Sequence, residues 1–272
     1  MLPFKNWVNA IVLAKQPSLP AVNAAVCALH EAGQRVFNAS VQIIDMLRKK
    51  HIIKVLSTGS DVGSIATNHW IAPYIIGYRD RTSMYNAQET LLGLSKALLF
   101  LRAVYKRDGV ILLVNTNSEH SKLVKKTATL TRQPYVNEFW TGGLLTNWEQ
   151  VKYSVQSYSK FELFFAKIVE EGTLVFPKYN KARKRFVGVQ HIEKIPDALV
   201  LFQATNTFRH IIEESNQVNT PVIAFIDAYS PKVSVDYPIP VNTDSKAFAH
   251  LFCKLFVKLC TSDTLVGRRP TR

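Results

Sequence analysis

The chain has 272 residues, 47% hydrophobic and 20% charged, an ordinary balance for a globular protein of one large domain or one domain with appendages. Lys and Arg number 34 against 20 Asp and Glu, and the formal net charge of +14 favours a polyanionic partner, nucleic acid ahead of an anionic membrane surface. The three cysteines, Cys27, Cys253 and Cys260, include no CxxC pair, which argues against a disulfide framework and against a zinc ribbon or finger.

The first 55 residues read as a helical extension, with apolar residues at mixed three- and four-residue spacing and Gly33 as a break. Residues 1–30 carry Lys5 and Lys15 and no acid, which is compatible with organelle import but lacks the Arg and Ser enrichment of a good presequence. With Met1 retained, the expectation is a non-cleaved targeting signal or synthesis in the compartment of use. "WIAPYIIGYRDRTSMYN" (70–86) predicts an irregular segment with short strands around Pro73 and Gly77.

A regular alternation follows. Helices are predicted over 87–107, over 118–132 with Ser118 as N-cap, over 145–168, over 207–218 and over 244–260. Strands are predicted over 110–115, 134–139, 197–202 and 221–227, with a short proline-bearing edge strand over 236–240. The runs "VILLVN" and "PVIAFID" are apolar throughout, as strands buried on both faces require. This alternation predicts an α/β fold with a parallel sheet covered on both faces. The stretch before residue 195 reads as loop-rich and basic. Cys253 and Cys260 share one face of the last helix as buried thiols.

Familiar catalytic and cofactor patterns are missing. There is no G-x-G-x-x-G, no GK[ST] phosphate loop, no HExxH and no GxSxG. The seven histidines are scattered without metal-ligand spacing, and His250 in "AFAHLFC" reads as a core or boundary residue. An enzyme reading rests on position alone: Asn115, Thr116, Asn117 and Asp227 fall beyond the carboxyl ends of two strands, where open α/β sheets bind ligands. The plainer reading makes them turn residues that cap the next helix. A membrane-docked reading has only the last helix, with Lys246, Lys254 and Lys258, to offer, and its apolar face is better explained by the sheet.

Basic clusters are the stronger signal. Lys178, Lys181, Arg183, Lys184 and Arg185 lie in "KYNKARKR" with no acid and an interleaved Tyr179. Lys122, Lys125, Lys126 and Arg132 form a second acid-free group, and Arg268, Arg269 and Arg272 a third in the tail. Such side chains gain affinity by neutralising phosphates, and a planar arginine also stacks on an unpaired base.

"FWTGGLLTNW" (139–148) resembles the W-x-G-G-x-L-T-N-W segment of the small-subunit ribosomal protein two family in its bacterial and organellar form. "WIAPYIIGYRDRTSMYNAQETL", "GVILLVNTN", "KIPDALVLF" and "NTPVIAFIDAYSPKVSVDYPIPVNTDS" resemble further family segments in the same order, so the likeness covers about residues 56–262. The resemblance implies a three-layer α/β/α sandwich with a projecting helical hairpin, here shortened and interrupted by "EEGTLVFPKYN". It also implies binding to small-subunit ribosomal RNA through the three clusters, contact with neighbouring ribosomal proteins, and no catalysis, cofactor, metal, small-molecule substrate or membrane. The expected division is an extension over 1–55, the α/β domain over 56–148 and 195–262, a basic hairpin-like insertion over 149–194 and a tail over 263–272. Gly142 and Gly143 would permit a tight turn where a Cβ obstructs close approach, with Trp140 and Trp148 packed beneath it and Asn147 part of the motif. Where bacterial members carry His-x-Gly-His, this chain reads "DVGS" (61–64), and Glu149 stands where the family often has Lys. These departures, with the extension and the "LLVNTN" wording, resemble a mitochondrial member, so the expected location is the mitochondrial matrix, ahead of a bacterial or plastid ribosome.

Overall fold

The computed structural model describes residues 57–65, 68–137, 139–170, 177–192, 194–204, 209–232 and 234–264, with the side chains of 164–170, 178–180 and 262–264 excepted. The predicted N-terminal helices and the arginine tail lie outside these residues.

Five strands form one parallel sheet: β3 (Ile111–Asn115), β4 (Tyr135–Asn137), β5 (Ala198–Leu201), β6 (Val222–Ile226) and β7 (Tyr237–Pro240), in the order β4-β3-β5-β6-β7. The middle strands β3, β5 and β6 are buried at every residue, which is why their sequences show no alternation. The edge strand β7 tolerates Pro238 and Pro240 because it pairs on one side only.

Helices cover both faces. On one face Leu112, Val114, Leu199, Leu201, Val222, Ala224 and Ile226 pack against Trp148, Val151 and Val155 of α3 (Trp148–Glu170) and Ile211 and Ile212 of α5 (Arg209–Gln217). On the other, the Phe225 ring meets Phe248 and Phe252 of α6 (Lys246–Thr264) edge-on, with centroids 5.4 and 5.1 Å apart. Helices α1 (Ala87–Lys106) and α2 (Ser121–Thr131) pack beside α6. The apolar stripe of α6 is thus spent on the sheet, while Lys246, Lys254 and Lys258 are exposed. Among the described residues no helix is long and apolar enough to cross a membrane. Cys253 and Cys260 are buried, and burial pushes the Cys253 thiol up to about 11.

Several local expectations need correction. The helix after β3 begins as a 3₁₀ turn over Ser118–His120, and Asn117, not Ser118, caps it by accepting the Glu119 N–H at 2.9 Å. The basic stretch expected to be a loop contains a helix, α4 (Pro177–Phe186). Its first residue is a proline, favourable where no intrahelical donor is needed, and its final turn carries Arg183, Lys184 and Arg185, which complement the helix dipole. His250 is exposed, whereas His120 is buried with Nε2 3.2 Å from the Thr243 carbonyl.

Ahead of the sheet, β1 (Ile75–Arg79) and β2 (Thr82–Tyr85) form an antiparallel ribbon. Its base is pegged to the C-terminal end of β6. The Tyr85 hydroxyl donates to Asp227 Oδ1 and accepts the Ala228 N–H at 2.7 Å, and Asp227 Oδ2 accepts from Thr243 at 3.2 Å. Surrounding backbone ties reinforce the peg: Asn68 N–H to the Ala228 carbonyl at 2.8 Å and Asn242 N–H to the Ser60 carbonyl at 3.0 Å. Gly63 of "DVGS" passes so close to Ser83 and Tyr85 that a Cβ there would collide with the Ser83 hydroxyl.

Tyr85→Phe removes the donor from a buried carboxylate and is expected to cost about 1–3 kcal/mol, read as a lower urea midpoint at unchanged slope. Burial first, and then the Asp227 charge, raise the Tyr85 pKa well above the ordinary phenol value. Its stabilising contribution is therefore complete below about pH 10 and lost as pH rises further, so the gap between wild type and Tyr85→Phe narrows in alkali.

Candidate nucleic-acid interface

The loop "TGGLLTNW" does hold an anion, and the anion is the protein's own. Glu214 on α5 accepts the backbone N–H of Gly143 at 2.9 Å and of Leu145 at 3.4 Å, and the Trp140 indole N–H at 3.3 Å. Oriented backbone N–H groups of this kind would suit a phosphate in another protein, but here a carboxylate from the other half of the chain fills them. Leu144, Leu145 and Trp148 are buried against the sheet, while Trp140 is half-buried at the rim of the same cluster. Asn147 is exposed, and its N–H closes the turn on the Gly143 carbonyl at 2.9 Å.

The two glycines differ. Gly143 has φ +79°, the left-handed region that disfavours a side chain, whereas nothing stands within 4 Å of a Cβ built on Gly142. The expected obstruction to a Cβ is therefore absent at Gly142, and Gly143 is required by its backbone conformation. A close approach does occur at Gly188, where a Cβ would run into the Tyr135 carbonyl.

That approach organises the basic residues. The turn after α4 lies against β4, with Tyr135 N–H donating to the Gly188 carbonyl at 3.0 Å. Helix α4 also packs on β4, and so does α2. The α4 cations Lys181, Arg183, Lys184 and Arg185 and the α2 cations Lys122, Lys125 and Lys126 therefore flank the same edge strand. All seven are exposed. On α2 the opposite side is buried through Val124, Thr127, Ala128 and Thr131. Arg132 is exposed at the helix end with φ +56°, its N–H capping the Ala128 carbonyl. Lys178 lies in the first turn of α4, with its side chain outside the described residues, as are Arg268, Arg269 and Arg272.

Among the described residues none of these cations is in an ion pair. Pairing elsewhere takes Lys194 with Asp197 at 2.8 Å, Arg209 with Glu213 at 2.7 Å and Lys246 with Glu119 at 3.1 Å. The α3–α4 contact is made by the Tyr158 and Phe186 rings, centroids 6.1 Å apart, and by Glu162, which accepts from Tyr158 at 2.9 Å and from Gln190 at 2.5 Å.

Three of the four strand-end positions, Asn115, Asn117 and Asp227, have internal roles, while the buried Thr116 hydroxyl has no hydrogen-bond partner among the described residues. Asn115 donates to the Asn117 carbonyl at 2.7 Å and to Asn137 at 3.2 Å, and accepts the Asn117 N–H at 3.1 Å. Asp227 holds Tyr85, Thr243 and its own loop. Both side chains are consumed in connecting elements, which is the turn-residue reading and not the catalytic one.

Residues 56–262 match the family described as ribosomal protein S2. Similar curated proteins include a small ribosomal subunit protein uS2m of Marchantia polymorpha, 33% identical over 213 residues that cover 76% of this chain and 89% of the relative. A small ribosomal subunit protein uS2 of Rickettsia prowazekii is 33% identical over 218 residues, covering 76% and 72%. One from Ehrlichia ruminantium is 32% identical over 208 residues, covering 74% and 71%.

Glu214→Ala leaves three part-buried donors without their acceptor and is expected to lower stability by about 2–4 kcal/mol in urea unfolding. Gly143→Ala is expected to cost about 1–2 kcal/mol and Gly142→Ala less than about 0.5 kcal/mol. Equal losses at the two glycines would contradict the conformational explanation.

Proposed function

Because the chain belongs to the ribosomal protein S2 family, we propose that it is a structural constituent of a mitochondrial small ribosomal subunit, bound to small-subunit ribosomal RNA through the basic edge at β4. The observation that carries this reading is the convergence of two cation groups without ion pairs among the described residues, Lys122, Lys125, Lys126 with Arg132 and Lys181, Arg183–Arg185, around one strand. Unpaired cations on a rigid support gain free energy when phosphates displace their counterions. They position the protein on folded RNA without reading sequence.

Lys178 and the tail arginines Arg268, Arg269 and Arg272 belong to the same proposal as extensions of the cationic surface. The α/β domain is read as a three-layer sandwich over 56–148 and 195–262, with α3 and α4 forming a shortened hairpin in the 149–194 insertion, residues 1–55 an added helical extension and 263–272 a basic tail. Neighbouring small-subunit proteins are the remaining partners. The mitochondrial assignment is supported by the likeness to the Marchantia uS2m protein and by Lys5 and Lys15 in an acid-free N-terminal stretch. The family is one of structural ribosomal components without enzymatic activity. That agrees with the internal use of Asn115 and Asp227.

Combined Arg183→Ala, Lys184→Ala and Arg185→Ala substitution is expected to weaken binding to a small-subunit rRNA transcript and to lower the slope of log affinity against log salt by about two to three. The urea midpoint should shift by no more than about 0.5 kcal/mol equivalent from wild type, since surface charges contribute little to folding. An unchanged salt slope removes α4 from the interface.

A further inference from the structure

We propose that the β1–β2 ribbon is a second RNA-contacting element, separate from the basic edge; this rests on the reading that the chain binds small-subunit rRNA. The ribbon turns through Asp80 and Arg81 between the paired residues Arg79 and Thr82, and both central residues have positive φ, +48° and +67°. A two-residue hairpin turn of that kind is best served by Asn-Gly or Asp-Gly. Here an arginine occupies the glycine position, so a long cationic side chain is kept where the backbone disfavours one. Strain retained at an exposed tip is a signature of a functional residue.

The tip places two guanidinium groups in solvent against one carboxylate. The Arg79–Asp80 approach is 3.9 Å with side chains 81% and 94% exposed, a pairing too weak and too hydrated to neutralise Arg79. On the same strand Tyr78 is 62% and Ile76 71% exposed. The ribbon therefore offers an exposed ring behind a tip with two arginines, and ring stacking and phosphate neutralisation are the two ways in which proteins hold unpaired nucleotides.

The ribbon is also held firmly enough to act as a probe. Its base is anchored by the Tyr85 hydroxyl on Asp227 and by the Tyr85 N–H on the Asp61 carbonyl at 2.8 Å. Its base therefore lies at the carboxyl end of β6, while the basic clusters flank β4 at the sheet edge. An RNA held at both places is clamped against rotation, which one cationic edge does not achieve.

The test uses the full-length chain and a small-subunit rRNA transcript, with affinity measured against KCl concentration. Arg79→Ala with Arg81→Gly is expected to weaken binding about ten-fold at moderate salt and to reduce the log–log slope by about two. Thermal stability should hold or rise, because glycine relieves the turn. Tyr78→Ala should lose about ten-fold in affinity with its salt slope unchanged, since stacking releases no counterions. Ribbon variants that bind as wild type, while the α4 triple variant is weakened, overturn the ribbon proposal and leave the parent reading standing. Failure of the wild type to prefer this transcript over an unrelated RNA of equal length overturns both. Ribbon variants that keep RNA affinity but lose a neighbouring protein from assembled subunits show a protein contact and overturn the proposal.

Discussion

The carboxylate of Glu214, lodged in the backbone of the "TGGLLTNW" turn, is the contact on which the working surface depends. It joins α5, from the second half of the domain, to the connection between β4 and α3, with a sequence separation of 71 residues to Gly143. Fixing that turn fixes where α3 begins. Helix α3 then carries Tyr158 and Glu162, which receive Phe186 and Gln190 from the end of α4 and the turn that follows it. The placement of Lys181 and Arg183–Arg185 beside β4 follows from this chain of contacts, completed by the close seating of Gly188 on Tyr135. A charged acceptor serving several N–H donors is among the stronger hydrogen-bonding arrangements available, and a turn so tied resists local opening.

A second internal anion lies at the carboxyl end of β6. Asp227 occupies the strand-end position where many α/β proteins bind a ligand, yet Tyr85 is already there. In both places a site that resembles ligand chemistry is satisfied by another part of the chain. Glu214 and Asp227 thus tie elements together, whereas the cations of α2 and α4 stay at the surface without ion-pair partners among the described residues. With a net charge of +14, the surface proposed to meet phosphates keeps cations that are not neutralised by carboxylates among the described residues.

Much of the architecture was legible in the sequence because it rests on local apolar patterning. The continuous runs of β3, β5 and β6 and the amphipathic α1 and α6 fall within a few residues of their predicted limits. The proline-bearing β7 is an edge strand, as its composition requires. Helix α4 was illegible for a definite reason: "KYNKARKR" has no apolar periodicity, and its burial comes through Phe186, just past the basic run, meeting Tyr158. The cap at Asn117 was missed because both Asn117 and Ser118 are good capping residues and only the 3₁₀ start distinguishes them. Glu214 and Tyr85 carried no local signal at all, since their partners lie far away in sequence. The glycine pair was correctly placed in a structural turn, but the reason lay in one backbone angle at Gly143 and not in crowding.

The most direct test of this account is sedimentation of the native protein from a lysate of the cells that make it through a sucrose gradient in high salt. Comigration with the small ribosomal subunit, retained while loosely bound factors are stripped away, is the predicted result. Recovery at the top of the gradient, with small subunits intact below, would contradict the claim that this cationic α/β domain is an integral part of that particle.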